Sequence, residues 1–193
     1  MAAGTSSRMG QNKLLLKYKS HTIIEEVLHQ LSNSSIDNIL VVTGYENKRM
    51  ERLITKNLKN KVRIVHNSNY MFGRSESIKC AIRHSGNNTD AILFMVADKP
   101  TITGELVNKA IEEFKQHMPA ILYIKTPSGR GHPIIFSKKL FPELLSLEGD
   151  TVGEKLIARH KAEVVELEDE QVQMDINTKE DYKILLESIR LKE

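Results

Sequence analysis

Two cationic side chains stand among glycine and small hydroxylated residues near the start of the chain, in Gly4-Thr5-Ser6-Ser7-Arg8-Met9-Gly10-Gln11-Asn12-Lys13. Successive backbone N–H groups converge on one anion only where side chains are small and some residues accept positive φ, which Gly4, Gly10 and the Thr5-Ser6-Ser7 run allow. A helix N-terminus offers about half a positive charge, against roughly four negative charges on a nucleoside triphosphate at neutral pH. Arg8 adds a planar fork of donors and Lys13 a point charge. Balancing a triphosphate then calls for a divalent cation, whose oxygen ligands must come from elsewhere in the chain. The stretch lacks the Gly-Lys-Ser/Thr of a Walker loop, and its bland alternative is a glycine-serine turn with two solvated cations.

Other segments must bring the missing carboxylate. Ala91-Ile92-Leu93-Phe94-Met95-Val96-Ala97-Asp98 is the most apolar run of the chain and ends in a carboxylate just before Lys99-Pro100. Ligands of open α/β sheets gather at the carboxyl ends of strands, which places Asp98 where a phosphate loop would lie; the alternative is a capped turn. Val172-Gln173-Met174-Asp175-Ile176-Asn177-Thr178 reads as a late extended segment. Alternation sets Asp175 and Asn177 on one face, so either can join Asp98 around a metal. Thr178 with Asp181 three residues on is the start signal of a last helix over 179 to 191.

The remaining elements alternate. Helical spacing marks 23 to 31, 47 to 57, 75 to 84 and 103 to 117, and β-branched or apolar runs mark strands at 38 to 43, 62 to 66, 120 to 124, 134 to 136 and 164 to 167. This predicts an α/β sandwich with a mostly parallel sheet. Ser75 and Ser77 open the third helix, where hydroxyls and a helix N-terminus can contact a nucleotide. Thr126 to Pro133 is a turn-rich link, and His132 within it reads as a structural donor rather than a general base, since an incoming phosphate is already ionised.

The chain of 193 residues is 40% hydrophobic, which suits one domain over 1 to 193. Its 28 basic and 25 acidic residues are interspersed, which argues against nucleic acid as the main partner. Cys80, a buried helix residue by its setting, cannot form an internal disulfide, and a cytoplasmic setting is expected. No run of eighteen apolar residues suggests a membrane span. The histidines show no paired zinc-ligand spacing.

The string Ala2-Ala3-Gly4-x-Ser6-x-Arg8-Met9-Gly10-x-x-Lys13-Leu14-Leu15 resembles the signature of the MobA-like nucleotidyltransferases, closest to the molybdenum cofactor cytidylyltransferase branch. Asp98-x-Pro100, Gly131-His132-Pro133 and Asp175-Ile176-Asn177-Thr178 are similar to later motifs of that family, and Gly149-Asp150 to its G-D-x-G loop, with Val152 at the second glycine position and Lys99 where Gln is frequent. The resemblance implies a three-layer, Rossmann-like sandwich of the nucleotide-diphospho-sugar transferase type. It implies transfer of CMP from CTP to a phosphorylated acceptor, a molybdopterin-type cofactor, with release of pyrophosphate. Arg8, Lys13 and Asp98 would be catalytic, Asp98 and Asn177 would hold Mg²⁺ with Asp175 the second candidate, and Ala2, Ala3, Gly4, Ser6, Arg8, Lys13, Ser75, Ser77 and His132 would line the nucleotide and cofactor sites. A molybdenum hydroxylase client is the implied protein partner. Guanylyl or sugar-phosphate transfer, and a cofactor carrier or insertion chaperone without turnover, are the rival readings. The family's loop follows a buried strand, whereas only Met1-Ala2-Ala3 precede Gly4 here, so a first strand is expected to be missing and the middle of the sheet left open.

Overall fold

A computed structural model describes residues 1–57, 62–150, 153–170 and 173–190. In chain order its elements are β1 (Lys17–Tyr18), β2 (His21–Thr22), α1 (Ile23–Ser32), β3 (Ile39–Thr43), α2 (Asn47–Asn57), β4 (Val62–His66), α3 (Arg74–His84), β5 (Ala91–Phe94), α4 (Gly104–His117), β6 (Ile121–Thr126), β7 (Gly129–Ser137), α5 (Phe141–Leu145), α6 (Glu154–Arg159), β8 (Val164–Glu168) and α7 (Lys179–Arg190). The helix starts follow local rules. Thr22 and Glu25 close a capping box on α1, and the Thr103 hydroxyl accepts from the Leu106 N–H on α4; each such cap contributes about 1 kcal/mol.

Successive residues of β3 point to opposite faces, as strand geometry requires. Val41 joins a cluster with Ile24, Leu28, Met50, Val107 and Leu185 from α1, α2, α4 and α7. Val42 joins Ile78, Leu144 and Leu156 from α3, α5 and α6 on the other side. Helices therefore cover both faces of the strands, the expected three-layer α/β sandwich.

The sheet is mixed. β3 and β4 pair in parallel, as do β6 and β8, while β7 lies antiparallel between β5 and β6 in the order β5-β7-β6-β8. The reason is the Pro127-Ser128 turn, which returns β6 directly into β7 as a hairpin, so the link read as loop from Gly129 onward is already strand. A register shift between Tyr123 and Lys125 leaves Gly131-His132-Pro133 bulged out of the ladder, the means by which strands re-aim residues beside a site.

Residues 1–3 fill the slot between the two halves. Ala2 bridges Thr43 in parallel and donates to the Val42 carbonyl at 2.9 Å. Met1 donates to the Met95 carbonyl and accepts from the Ala97 N–H at 3.1 Å, and Ala3 accepts from Tyr45 at 3.4 Å. The segment thus pairs on both sides where an open gap is expected from the sequence, Met1 toward Met95 and Ala97 beyond β5 and Ala2 and Ala3 toward β3 and Tyr45. The segment read as a strand at 172 to 178 forms no ladder over its described residues; Ile176 instead donates to the Asp98 carbonyl at 3.4 Å. Val152 and Val172 lie outside the described residues.

Gly44 makes this bridge possible, since a Cβ there would lie 2.6 Å from Tyr70 Cβ and 2.7 Å from the Ala3 carbonyl oxygen. We expect Gly44→Ala to cost about 1–3 kcal/mol through overpacking, read as a lower urea midpoint at unchanged m-value; an unaltered midpoint would show that the slot is loose.

Candidate active site

The loop after Ala3 owes its shape to two left-handed residues, Ser6 at φ 53° and Gly10 at φ 69°, which bracket a 3-10 turn at Ser7–Met9. Met9 is buried and anchors that turn, leaving Arg8 exposed beside it. The Ser6 hydroxyl accepts from the Lys13 N–H at 3.2 Å and closes the loop. Asn12, itself buried, caps the next turn through the Leu14 N–H at 3.1 Å, and Leu14 sits in the core. Lys13 is consequently fixed at its backbone on both sides, and its side chain alone is free to reach.

Lys13 reaches across the site. Its Nζ donates to Asp98 Oδ2 in a short ion pair and to Asn177 Oδ1 at 3.1 Å, and Arg8 Nη2 donates to the same Asn177 oxygen at 3.0 Å. Two cationic donors on one atom fix which end of the Asn177 amide faces inward. Asn177 is held from behind: Ile176 is fully buried, and the N–H groups of Asn177 and Thr178 both donate to Asp181 at 2.8 Å. Those backbone donors keep the Asp181 carboxyl below its usual range. The Thr178 hydroxyl accepts from the Asp181 N–H at 3.1 Å, completing the predicted start of α7.

Asp98 Oδ2 and Asn177 Oδ1 therefore converge on one position that already holds a positive charge. A carboxylate and an amide oxygen suit Mg²⁺, which keeps several waters and takes phosphate oxygens for the rest of its shell. The described residues contain no group of three or more His, Cys, Asp or Glu able to hold a metal without such help. Asp175, the other candidate, pairs elsewhere. Its carboxylate lies 2.9 Å from the buried Lys99 Nζ, which also donates to the Gln173 carbonyl at 3.4 Å.

His132 lies on the far side of that pair. The side-chain amide of Gln173 grips its backbone, accepting from the His132 N–H at 2.7 Å and donating to its carbonyl. The His132 Nδ1 is 3.3 Å from the Phe94 carbonyl, which can only accept, so Nδ1 carries the proton and Nε2 the lone pair. Burial pushes the imidazole down to about 4, and the nearby Lys99 charge acts in the same direction. Sequence reasoning missed Gln173 and the buried role of Lys99. No periodicity marks a lone glutamine, but a lysine directly after a strand-ending aspartate is a visible signal that a carboxylate partner is near.

The start of α3 is occupied by the chain itself. Arg74 N–H donates to Asp150 Oδ1 and Ser75 N–H to the Gly149 carbonyl, both at 3.0 Å, so the G-D loop sits on this helix N-terminus. Gly73 must lack a side chain here, for its Cβ would come within 2.6 Å of the Gly149 carbonyl. Ser75 is fully buried, and its hydroxyl has no hydrogen-bond partner among the described residues. Ser77 is buried and accepts from Asn67 Nδ2 at 3.1 Å. Gly153, just after the described part of the G-D loop, adopts φ 75° and caps α6.

Residues 1–164 match the MobA-like NTP transferase domain. The chain belongs to this family. It is similar to the molybdenum cofactor cytidylyltransferase of Escherichia coli K12, at 28% identity over 94% of this chain and 90% of that protein. The purine catabolism protein PucB of Bacillus subtilis 168 is also 28% identical, over 94% of this chain and 91% of its own. Among solved structures, Rv0371c of Mycobacterium tuberculosis H37Rv superposes with a TM-score of 0.84 at 27% identity, covering 96% of this chain and 94% of that one. A manganese complex of Rv0371c is similar at TM-score 0.79 and 26% identity, over 96% and 95% of the two chains. This MobA-like domain is thus of the nucleotidyltransferase type, and no helix among its described residues is long and apolar enough to cross a membrane.

The depressed His132 gives the domain a defined acid sensitivity. The unfolded imidazole, at its ordinary 6.5, binds a proton that the folded one, at about 4, refuses. The unfolded state binds more protons in that window, so stability is full above pH 6.5 and falls as pH drops toward 4. Between pH 7 and 4.5 this residue should account for about 2–3 kcal/mol of lost stability. Denaturant midpoints of wild type and His132→Asn at both pH values check it, the variant losing less; equal losses would refute the assignment.

Proposed function

We propose that this domain transfers CMP from CTP to the terminal phosphate of a molybdopterin-type cofactor. The observation that carries the reading is the meeting of Arg8, Lys13, Asp98 and Asn177, four residues from three distant segments, on one small volume beside a loop of small residues. A phosphate oxygen of the acceptor forms a bond to the α-phosphorus of CTP, and the bond to the bridging oxygen breaks as pyrophosphate leaves with its electron pair. Arg8 and Lys13 bind the β- and γ-phosphates and stabilise the charge that builds on them. Asp98 and Asn177 hold Mg²⁺, which as a Lewis acid neutralises phosphate charge when bound.

The other residues take supporting places. Ala3, Gly4 and Ser6 present backbone and hydroxyl donors to the nucleotide, and His132 belongs to the acceptor side; Ala2, whose N–H is spent on the Val42 carbonyl, and Ser75 and Ser77, both buried in α3, support the site without facing the ligand. His132 needs no charge for that task, because an acceptor phosphate is already ionised at neutral pH. The choice of CTP is supported by Ala2-Ala3-Gly4 and by the likeness to the cytidylyltransferase of Escherichia coli. A molybdenum hydroxylase that receives the finished dinucleotide cofactor is the corresponding client.

The test is pyrophosphate release with Mg²⁺ and CTP, GTP or UTP, with and without molybdopterin. We expect release with CTP that depends on the acceptor, together with an acceptor heavier by one CMP in mass spectrometry. Lys13→Ala and Asp98→Ala should each lower turnover by at least about tenfold, or 1.4 kcal/mol of lost transition-state stabilisation. Bound cofactor of unchanged mass would favour a carrier, and normal rates in both variants would remove these residues from the mechanism.

A further inference from the structure

Two roles meet at Lys13, and the geometry does not allow both at once. Its Nζ sits on Asp98 Oδ2 and 3.1 Å from Asn177 Oδ1, the two oxygens assigned above to the divalent ion. An ammonium and a metal cation cannot share that position, because like charges at contact distance exclude one another. We infer that Lys13 is an exchangeable occupant of the divalent-ion position: its ammonium holds the two oxygens in the nucleotide-free protein and moves to the phosphates when a nucleotide arrives, so metal affinity is low until then. This rests on the proposed roles of Asp98 and Asn177.

The chain is built for such an exchange. The Lys13 backbone is fixed by the Ser6 hydroxyl and by its buried neighbour Leu14, so the four-carbon stem can swing without moving the loop. The Lys13 and Asp98 side chains keep 15% and 20% of their exposure, which leaves a path from solvent to the pair. Asn177 stays held by Arg8 at 3.0 Å and by its backbone bond to Asp181 after Lys13 departs. Asp98 would be left as a partly buried carboxylate facing an amide oxygen, a state that demands another cation. Lys99 does not supply it, being engaged with Asp175 at 2.9 Å and the Gln173 carbonyl. By linkage, whatever factor nucleotide adds to metal affinity, metal adds to nucleotide affinity.

The experiment is a Mn²⁺ titration of nucleotide-free protein, with unbound ion read by electron paramagnetic resonance. Lys13→Met should bind Mn²⁺ at least tenfold more tightly than wild type, and Lys13→Gln serves the same purpose should the first variant fold poorly. Lys13→Arg, which keeps the charge in place, should remain weak. Arg8→Met removes a cation that bonds Asn177 and not Asp98 among the described residues, and should change affinity less than threefold. Adding Asp98→Asn to Lys13→Met should abolish the gain. Equal affinity in wild type and Lys13→Met, a gain that survives Asp98→Asn, or an equal gain in Arg8→Met would each overturn the exchange. No nucleotide or acceptor is present, so this result is independent of whether CTP proves to be the substrate.

Discussion

One ammonium group joins the parts of this site. Lys13 Nζ bonds Asp98 from the end of the central apolar run and Asn177 from the approach to α7, residues 85 and 164 positions away in sequence. A single chain-distant contact of this kind is costly to assemble, because three segments must be ordered for one small cluster. The cost is offset before the cluster forms. Each polar residue has a core residue beside it: Met9 next to Arg8, Leu14 next to Lys13, Ala97 next to Asp98 and Ile176 next to Asn177, all buried. Apolar burial fixes the backbone, and the polar side chain then has little left to choose.

The same logic explains why residues 1–3 matter more than their number suggests. Ala2, Leu14, Met95, Ala97 and Ile176 belong to one apolar cluster, so the loop, the Asp98 segment and the Asn177 segment share a foundation. Backbone pairing of Met1 and Ala2 to both neighbours satisfies groups that a buried slot would otherwise leave unpaired. Small side chains are needed at Ala2 and Ala3, both buried, because helices cover the two faces there. Gly44, just past the end of β3, serves the same close approach.

Much of this was legible in advance because it is written in local patterns. Helix α2 falls on its predicted residues, and the Thr178-Asp181 start of α7 and the buried Cys80 follow from spacing and composition, whereas β5 stops at Phe94 and Asp98 lies in the turn beyond it rather than at the strand end. What eluded sequence reasoning depends on tertiary geometry. The β6–β7 hairpin hides behind a stretch rich in glycine that looks like loop, and the bulge at Gly131-His132-Pro133 arises only when β6 pairs with β7. Gln173 acts through both ends of one amide on a backbone 41 residues away, a contact that no period announces. By alternation Asp175 and Asn177 should share one face, yet the segment forms no strand over its described residues and the two meet different cations, Lys99 and Lys13.

The distribution of charge around these pairs sets how a polyanion first meets the site. Lys13 is neutralised by Asp98 and Lys99 by Asp175. His132, pushed down to about 4, carries no charge at neutral pH. Arg8 differs, since it bonds the neutral oxygen of Asn177 and is exposed. Part of its charge acts on the Asp181 carboxyl, but its exposure lets it project more positive field into solvent than the other three groups, in the place a phosphate chain would approach. A triphosphate drawn to Arg8 arrives within reach of Lys13, and only its own negative charge can compete with Asp98 for that ammonium. Selection for a polyanion thus needs no large rearrangement: it follows from leaving one cation exposed and pairing the other just firmly enough that a dense negative ligand, rather than a single surface carboxylate or chloride, is required to move it.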